Sequence, residues 1–226
     1  MEFMELGEKD MKLKWPDALT DDDHSDAVRE LKKYFGQEPY KVAFTGASFD
    51  GLGGGGDRDQ VRDILTAEDL VAVSMLSINF PARAALQILG PDSEEISHFL
   101  SQVPTDLDLV DVDPMLLNKD WPAWQLWDLL ESTDGIGWVT AGKLVARKRP
   151  RLVPVYDSVV RKQVGAPRSY WQALNHDLRS EDKRLHRKLL RIRQDAGIGN
   201  DISALRVFDI VTWMMGRDSG SSDSGS

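Results

Sequence analysis

The chain contains no cysteine, which excludes disulfides, cysteine-ligated iron–sulfur clusters and zinc–thiolate sites. It also lacks any apolar run near the roughly 18 residues needed to cross a bilayer. Its start, Met1-Glu2-Phe3-Met4-Glu5, has neither the basic nor the apolar region of a secretion signal. A cytoplasmic protein with no membrane partner is expected. Histidine is scarce: His24, His98, His176 and His186 form no i, i+4 pair of the kind that holds a metal. No Gly-x-Ser-x-Gly nucleophile motif is present, and neither a metal nor a cofactor is expected.

Positive charge is short overall, with 28 Lys/Arg against 37 Asp/Glu, but its distribution is uneven. Residues 1–134 carry 11 basic and 28 acidic side chains, a net of −17, whereas residues 135–226 carry 17 and 9, a net of +8. A polyanion responds to the field within a Debye length, roughly 8–10 Å, rather than to the whole-chain sum. The C-terminal part is therefore the one that can face phosphate.

β-branched alternation is rare, and three-to-four periodicity dominates, so the fold class is mostly α. Residues 1–25 read as an N-terminal segment ending in a polar loop and cap, residues 26–216 as a helical unit, and 217–226 as a disordered Gly/Ser/Asp tail. Tyr40–Gly46 is short and compatible with an extended segment. Gly51-Leu52-Gly53-Gly54-Gly55-Gly56 lacks the Gly-Lys-Ser/Thr ending of a phosphate-binding loop and reads as a mobile connector. Helices are expected after a Thr66/Asp69 capping box, from Pro81 to a closing Gly90, and from Ser93 onward. The alternating stretch Thr105–Pro114 reads as an exposed connector with its aliphatics turned inward. Trp124, Trp127 and Leu130 share one helix face and read as core. Further helices are expected over 170–178, 181–196 and 201–215.

The informative stretch is Gly135-Ile136-Gly137-Trp138-Val139-Thr140-Ala141-Gly142-Lys143. An apolar helix ends, two glycines flank one anchoring aliphatic, and a second helix begins at once. The first amides of that helix have no partner inside it and point outward. With the helix dipole they form a phosphate cradle blind to sequence. Gly135, Gly137, Thr140, Lys143, Arg147 and Lys148 are the candidate DNA-binding residues, with Arg149 and Arg151 adding charge downstream.

This hairpin resembles that of the helix-hairpin-helix DNA glycosylase superfamily, whose pattern is Gly-aliphatic-Gly-x-x-Thr-Ala. In that superfamily a short linker leads through aliphatics to an Asp at the next helix start; here Leu152-Val153-Pro154-Val155-Tyr156-Asp157-Ser158-Val159-Val160-Arg161-Lys162 places Asp157 there. Asp157 lies eighteen positions beyond Val139, the spacing of the catalytic Lys and Asp in bifunctional members. Val139 stands in place of their Schiff-base lysine, so the resemblance points to a monofunctional enzyme. The match is concentrated in residues 135–162. The chain also resembles an uncharacterised actinobacterial family with the same Phe-Thr-Gly, Gly-rich and Arg-Pro-Arg-Leu-x-Pro-Val-Tyr-Asp features.

The resemblance implies a helix-hairpin-helix glycosylase-like fold, DNA as partner, and excision of a modified or damaged base as a step of DNA repair. Asp157 would stabilise an oxocarbenium-like sugar and activate water, with Tyr156 or Trp138 contacting the base. Two other readings stay open: a non-catalytic helix-hairpin-helix DNA-binding module, and a helical protein–protein adaptor. As a residue, Asp157 is also what a helix start prefers, since an Asp cap contributes roughly 1 kcal/mol.

Overall fold

A computed structural model describes residues 13–167 and 169–219. All regular structure among them is helical: α1 (Asp17–Thr20), α2 (Ser25–Tyr34), α3 (Ala67–Ser74), α4 (Ala82–Leu89), α5 (Ser93–Ser101), α6 (Pro122–Ser132), α7 (Trp138–Lys148), α8 (Ser158–Val164), α9 (Tyr170–Asp195) and α10 (Ala204–Ser219). The expected all-α class holds, and no described helix is long and apolar enough to cross a membrane.

Two helices organise the packing. One side of the molecule is built on α7, which lies between α3 and α6, with α5 against the far side of α6. The other is built on α10, which packs against α2, α8 and α9. Every residue from Thr140 to Arg149 is buried, so α7 is surrounded rather than amphipathic, and α10 is apolar and buried over most of its length. The buried residues of both sides form one core.

Local chemistry accounts for many boundaries. Thr66 and Asp69 make the reciprocal capping box that starts α3, with Asp69 Oδ2 accepting from Thr66 N at 2.9 Å. Pro81 precedes α4 and Gly90 closes it. The tryptophan face of α6 is core: Trp124 and Trp127 lie 4.8 and 5.0 Å from Trp171 of α9, ring centre to ring centre. α9 is interrupted at Ser180–Lys183, whose backbone leaves helical geometry, at the break between the two helices expected there.

The N-terminal segment contributes to the core: Leu13, Ala18 and Leu19 are buried, and Trp15 Nε1 donates to Asp177 of α9 at 2.7 Å. Tyr40–Phe44 has no regular structure, Phe44 itself is extended, and a 3-10 turn, Thr45–Ser48, follows it. One expectation needs correction. α10 overruns Gly216 to Ser219, because the apolar contacts of Trp213 and Met215 carry the helix on. The rest of the expected tail, 220–226, lies outside the described residues.

Candidate functional site

The hairpin forms as its residues suggest. α6 ends at Ser132, Ile136 is buried as the anchor, and α7 begins at Trp138. Gly135 has φ +84°, and a Cβ there would lie 3.0 Å from Pro81 Cγ, so both the backbone and the neighbour demand glycine. Gly137 is the N-cap of α7, with φ −93° and ψ 170°; it offers no capping side chain. Both glycines are exposed, Trp138 and Val139 in the first turn of α7 are half-buried, and Thr140 is buried.

The cations expected to face phosphate do not. Thr140, Lys143, Arg147 and Lys148 are all buried. Arg147 donates to Asp69 Oδ1 at 3.1 Å and to the carbonyls of Phe49, Asp50 and Leu52. Lys148 Nζ donates to Val61 O at 2.8 Å and to Asp69 Oδ2 at 3.3 Å. Arg149 donates to the carbonyls of Val103 and Arg62, both at 2.7 Å, and to Asp63 Oδ1 at 2.7 Å. Burial pushes Lys148 and Arg149 down, while Asp69 and Asp63 respectively oppose that shift. These three residues tie α7 to the largely irregular chain between α2 and α3, and Arg149 ties it also to the end of α5. The glycine loop 51–56 is part of that structure: Gly56 passes so close to α7 that a Cβ would lie 2.5 Å from Arg147 O. Gly55 and Gly56 are buried against this side of the molecule, while Gly51, Gly53 and Gly54 are exposed.

Asp157 caps α8. Its Oδ1 accepts from the amides of Val159 and Val160, each at 3.0 Å. Its Oδ2 lies 3.7 Å from Lys143 Nζ, which also donates to Leu76 O at 3.0 Å. Burial pushes Lys143 below the usual lysine range, and Asp157 pulls the other way. Both side chains line a cavity of about 450 Å3. Val139, in the first turn of α7, lines it too, so the carboxylate and the start of α7 share one rim.

The rest of the cavity was not singled out in the sequence. α10 contributes Arg206, Asp209 and Trp213, the end of α2 contributes Tyr34, and Phe44–Gly46 and Met75–Ile78 complete the wall. Arg206 Nε donates to Asp50 Oδ2 at 2.9 Å and its Nη2 to the Tyr34 hydroxyl at 3.2 Å. Burial works against the guanidinium charge, but Asp50, Tyr34 and Asp209 outweigh it and hold Arg206 above its ordinary value. Asp209 is 2 % exposed. Burial pushes its carboxyl well above the usual range, despite Arg206 and the Val155 amide that donates to Oδ2 at 2.7 Å. A signal for this pair existed: Arg206 and Asp209 stand three apart in the run Ala204–Met214, which is apolar apart from them and Thr212, and ionisable groups perturbed by burial gather at functional sites.

Tyr156 and Trp138, expected near a base, are not among the residues that line the cavity. The Tyr156 ring stacks on Tyr170 at 3.7 Å and its hydroxyl donates to Gly165 O at 2.7 Å. Trp138 meets Tyr156 edge-on at 5.7 Å. The Arg161 guanidinium lies 5.9 Å from the centre of the same ring. Arg161 and Lys162 of α8 and Arg83 of α4 are exposed. Arg161 adjoins the hairpin through Trp138, and α4 adjoins it through Pro81 against Gly135.

No curated protein and no solved structure matches the chain. A model for a family of unknown function, DUF6308, matches residues 27–216, a span that takes in the hairpin, Asp157 and all of the cavity, and the chain belongs to that family.

Proposed function

We propose that this chain binds DNA through the glycine turn and excises a modified or damaged base by hydrolysing its N-glycosidic bond in the cavity beside that turn. The observation that carries the reading is the division of labour at Asp157. One oxygen is engaged by the α8 amides, the other lies beside Lys143, and the residue lines a cavity that Val139, in the first turn of α7, also lines. The amides at the start of α7 would hold a phosphate, and a nucleotide swung out of the stack would enter the cavity, at a cost of a few kcal/mol of unstacking.

As the base departs with the bond's electron pair, positive charge grows on the sugar, and Asp157 Oδ2 would face it. The water oxygen then bonds to C1′ and yields a proton, with the carboxylate as its acceptor. Lys143, on the same oxygen, positions Asp157 and prevents it from turning fully toward the helix amides. The exposed cations Arg161, Lys162 and Arg83 take the place that Arg147 and Lys148 cannot fill in attracting the phosphate backbone.

Asp157→Asn tests this cleanly, because Asn caps a helix about as well as Asp and the fold should survive. Base release from a panel of lesion-bearing duplexes should fall by at least a hundredfold while duplex affinity changes little. An unaltered rate of release would end the catalytic role. Salt-dependent duplex binding with no release from any lesion by the parent chain would favour a non-catalytic DNA-binding module.

A further inference from the structure

Asp209 Oδ1 is a buried oxygen with no hydrogen-bond partner. A buried unpaired acceptor is disfavoured, and the surroundings do not satisfy it. Arg206, one turn earlier on α10, gives its Nε to Asp50 and an Nη to Tyr34. The Val155 amide is on the other oxygen, Oδ2. The Tyr170 hydroxyl, also buried and interacting electrostatically with Asp209, makes no hydrogen bond to it. Asp209 lines the cavity, whereas Tyr170 does not.

Tyr34, Phe44 and Trp213 line the same space, with the Arg217 guanidinium over the Phe44 and Trp213 rings and that of Arg206 over Tyr34. The Tyr34 and Phe44 rings are nearly parallel, 8° apart at 5.6 Å, and Trp213 stands edge-on to both. The cavity's volume falls within the roughly 300–1,000 Å3 of small-molecule sites, and apolar walls with a few convergent polar groups are their usual make-up. Asp157 borders the same space from the start of α8.

We propose that Asp209 reads the departing group: the cavity takes a flat nitrogen heterocycle of the nucleobase class, whose polar edge hydrogen-bonds Asp209 Oδ1 while its faces lie along the aromatic wall. The inference rests on the excision reading and names the part of the substrate that the site recognises. Asp157 then serves the sugar and Asp209 the base. Burial favours the protonated form of Asp209, so its free oxygen can donate as well as accept, which suits an edge that carries both a ring nitrogen and an N–H.

The test is binding of free adenine, hypoxanthine, cytosine and uracil to the full chain, followed by calorimetric titration and thermal shift, in the parent, Asp209→Asn and Asp209→Leu. At least one base should bind saturably to the parent. Asp209→Leu should weaken that binding by about tenfold or more, the effect of losing one buried polar partner. Asp209→Asn keeps an acceptor for the Val155 amide but fixes the donor and acceptor positions, and should change the order of preference among the four bases. No binding of any base to the parent, or the same affinities and order in a folded Asp209→Asn, would overturn the proposal. The two readings fail separately. Base binding through Asp209 without release from any duplex removes excision alone, whereas release whose rate and base preference are indifferent to Asp209→Asn removes the role of Asp209 alone.

Discussion

Gly137→Asp separates a phosphate-binding turn from a turn that merely connects two helices. A Cβ at Gly137 meets no atom within 4 Å, and φ −93° with ψ 170° is extended backbone open to any residue. The new carboxylate sits at the N-cap of α7, where it can accept from the amides of Val139 and Thr140. Asp exceeds Gly as a cap by only a few tenths of a kcal/mol, and the charge at the positive end of the helix dipole adds about 0.3–1 kcal/mol. The variant should therefore melt about 1–4 °C higher than the parent, given the size of the chain. Its affinity for DNA should move in the opposite direction, because the amides are occupied and a negative charge stands where the phosphate would sit. Fluorescence anisotropy with a short duplex should show a loss on the order of tenfold or more at low salt. Gly137→Asn occupies the amides without the charge and should fall between. A more stable Gly137→Asp that binds duplex as tightly as the parent would refute the role of the turn.

Other outcomes are equally specific. Gly142 lies inside α7, where a Cβ would rest 3.6 Å from Trp127 Cζ2, an ordinary contact; Gly142→Ala should raise stability by about 0.5–1 kcal/mol in chemical denaturation, and a loss would mean that α6 and α7 need a closer approach than this. Arg161→Ala should reduce the salt dependence of duplex binding by about one ion and weaken binding at low salt; an unchanged slope would place the DNA elsewhere. Asp209 is held above its usual range by burial, so the native state keeps a proton that the unfolded chain releases above about pH 4. Folding stability should then fall as pH rises through that window, until the native carboxyl ionises too. Asp209→Asn lacks this loss, so the stability difference should shift in the variant's favour with rising pH, by at most about 1.4 kcal/mol per unit; a difference that does not change with pH would contradict it.

What the sequence disclosed well was local. The turn at Gly135–Gly137 is set by one positive φ and one anchoring Ile136, the cap of α3 by two side chains three apart, and the start of α8 by Asp157 itself. Each is decided within a few residues, so each can be read before anything packs. The cavity was not legible for the opposite reason. Tyr34, Phe44, Asp157 and Asp209 belong to segments far apart in the chain, and only the packing of α10 against α2 and α8 brings them to one space. Tyr156, next to Asp157 in sequence, stacks on Tyr170 and is not among the residues that line the cavity.

The run Arg147-Lys148-Arg149 marks the limit most sharply, since a basic cluster just after a phosphate-binding turn reads the same whether it faces a nucleic acid or the interior. What decides is the supply of acceptors. The largely irregular segment between α2 and α3 offers carbonyls to these side chains, and Asp63 and Asp69 add negative charge on the same side. A guanidinium has five donors in a fixed fork and can hold several such oxygens at once. With Lys143 and Arg206 also buried, five of the seventeen basic side chains beyond residue 134 balance acidic groups and carbonyls inside the molecule. The field available to DNA is accordingly weaker than the count for that half suggests. If the chain binds DNA, affinity must depend on a few exposed cations around a neutral glycine turn, and should be modest and steeply salt-dependent for each contact made.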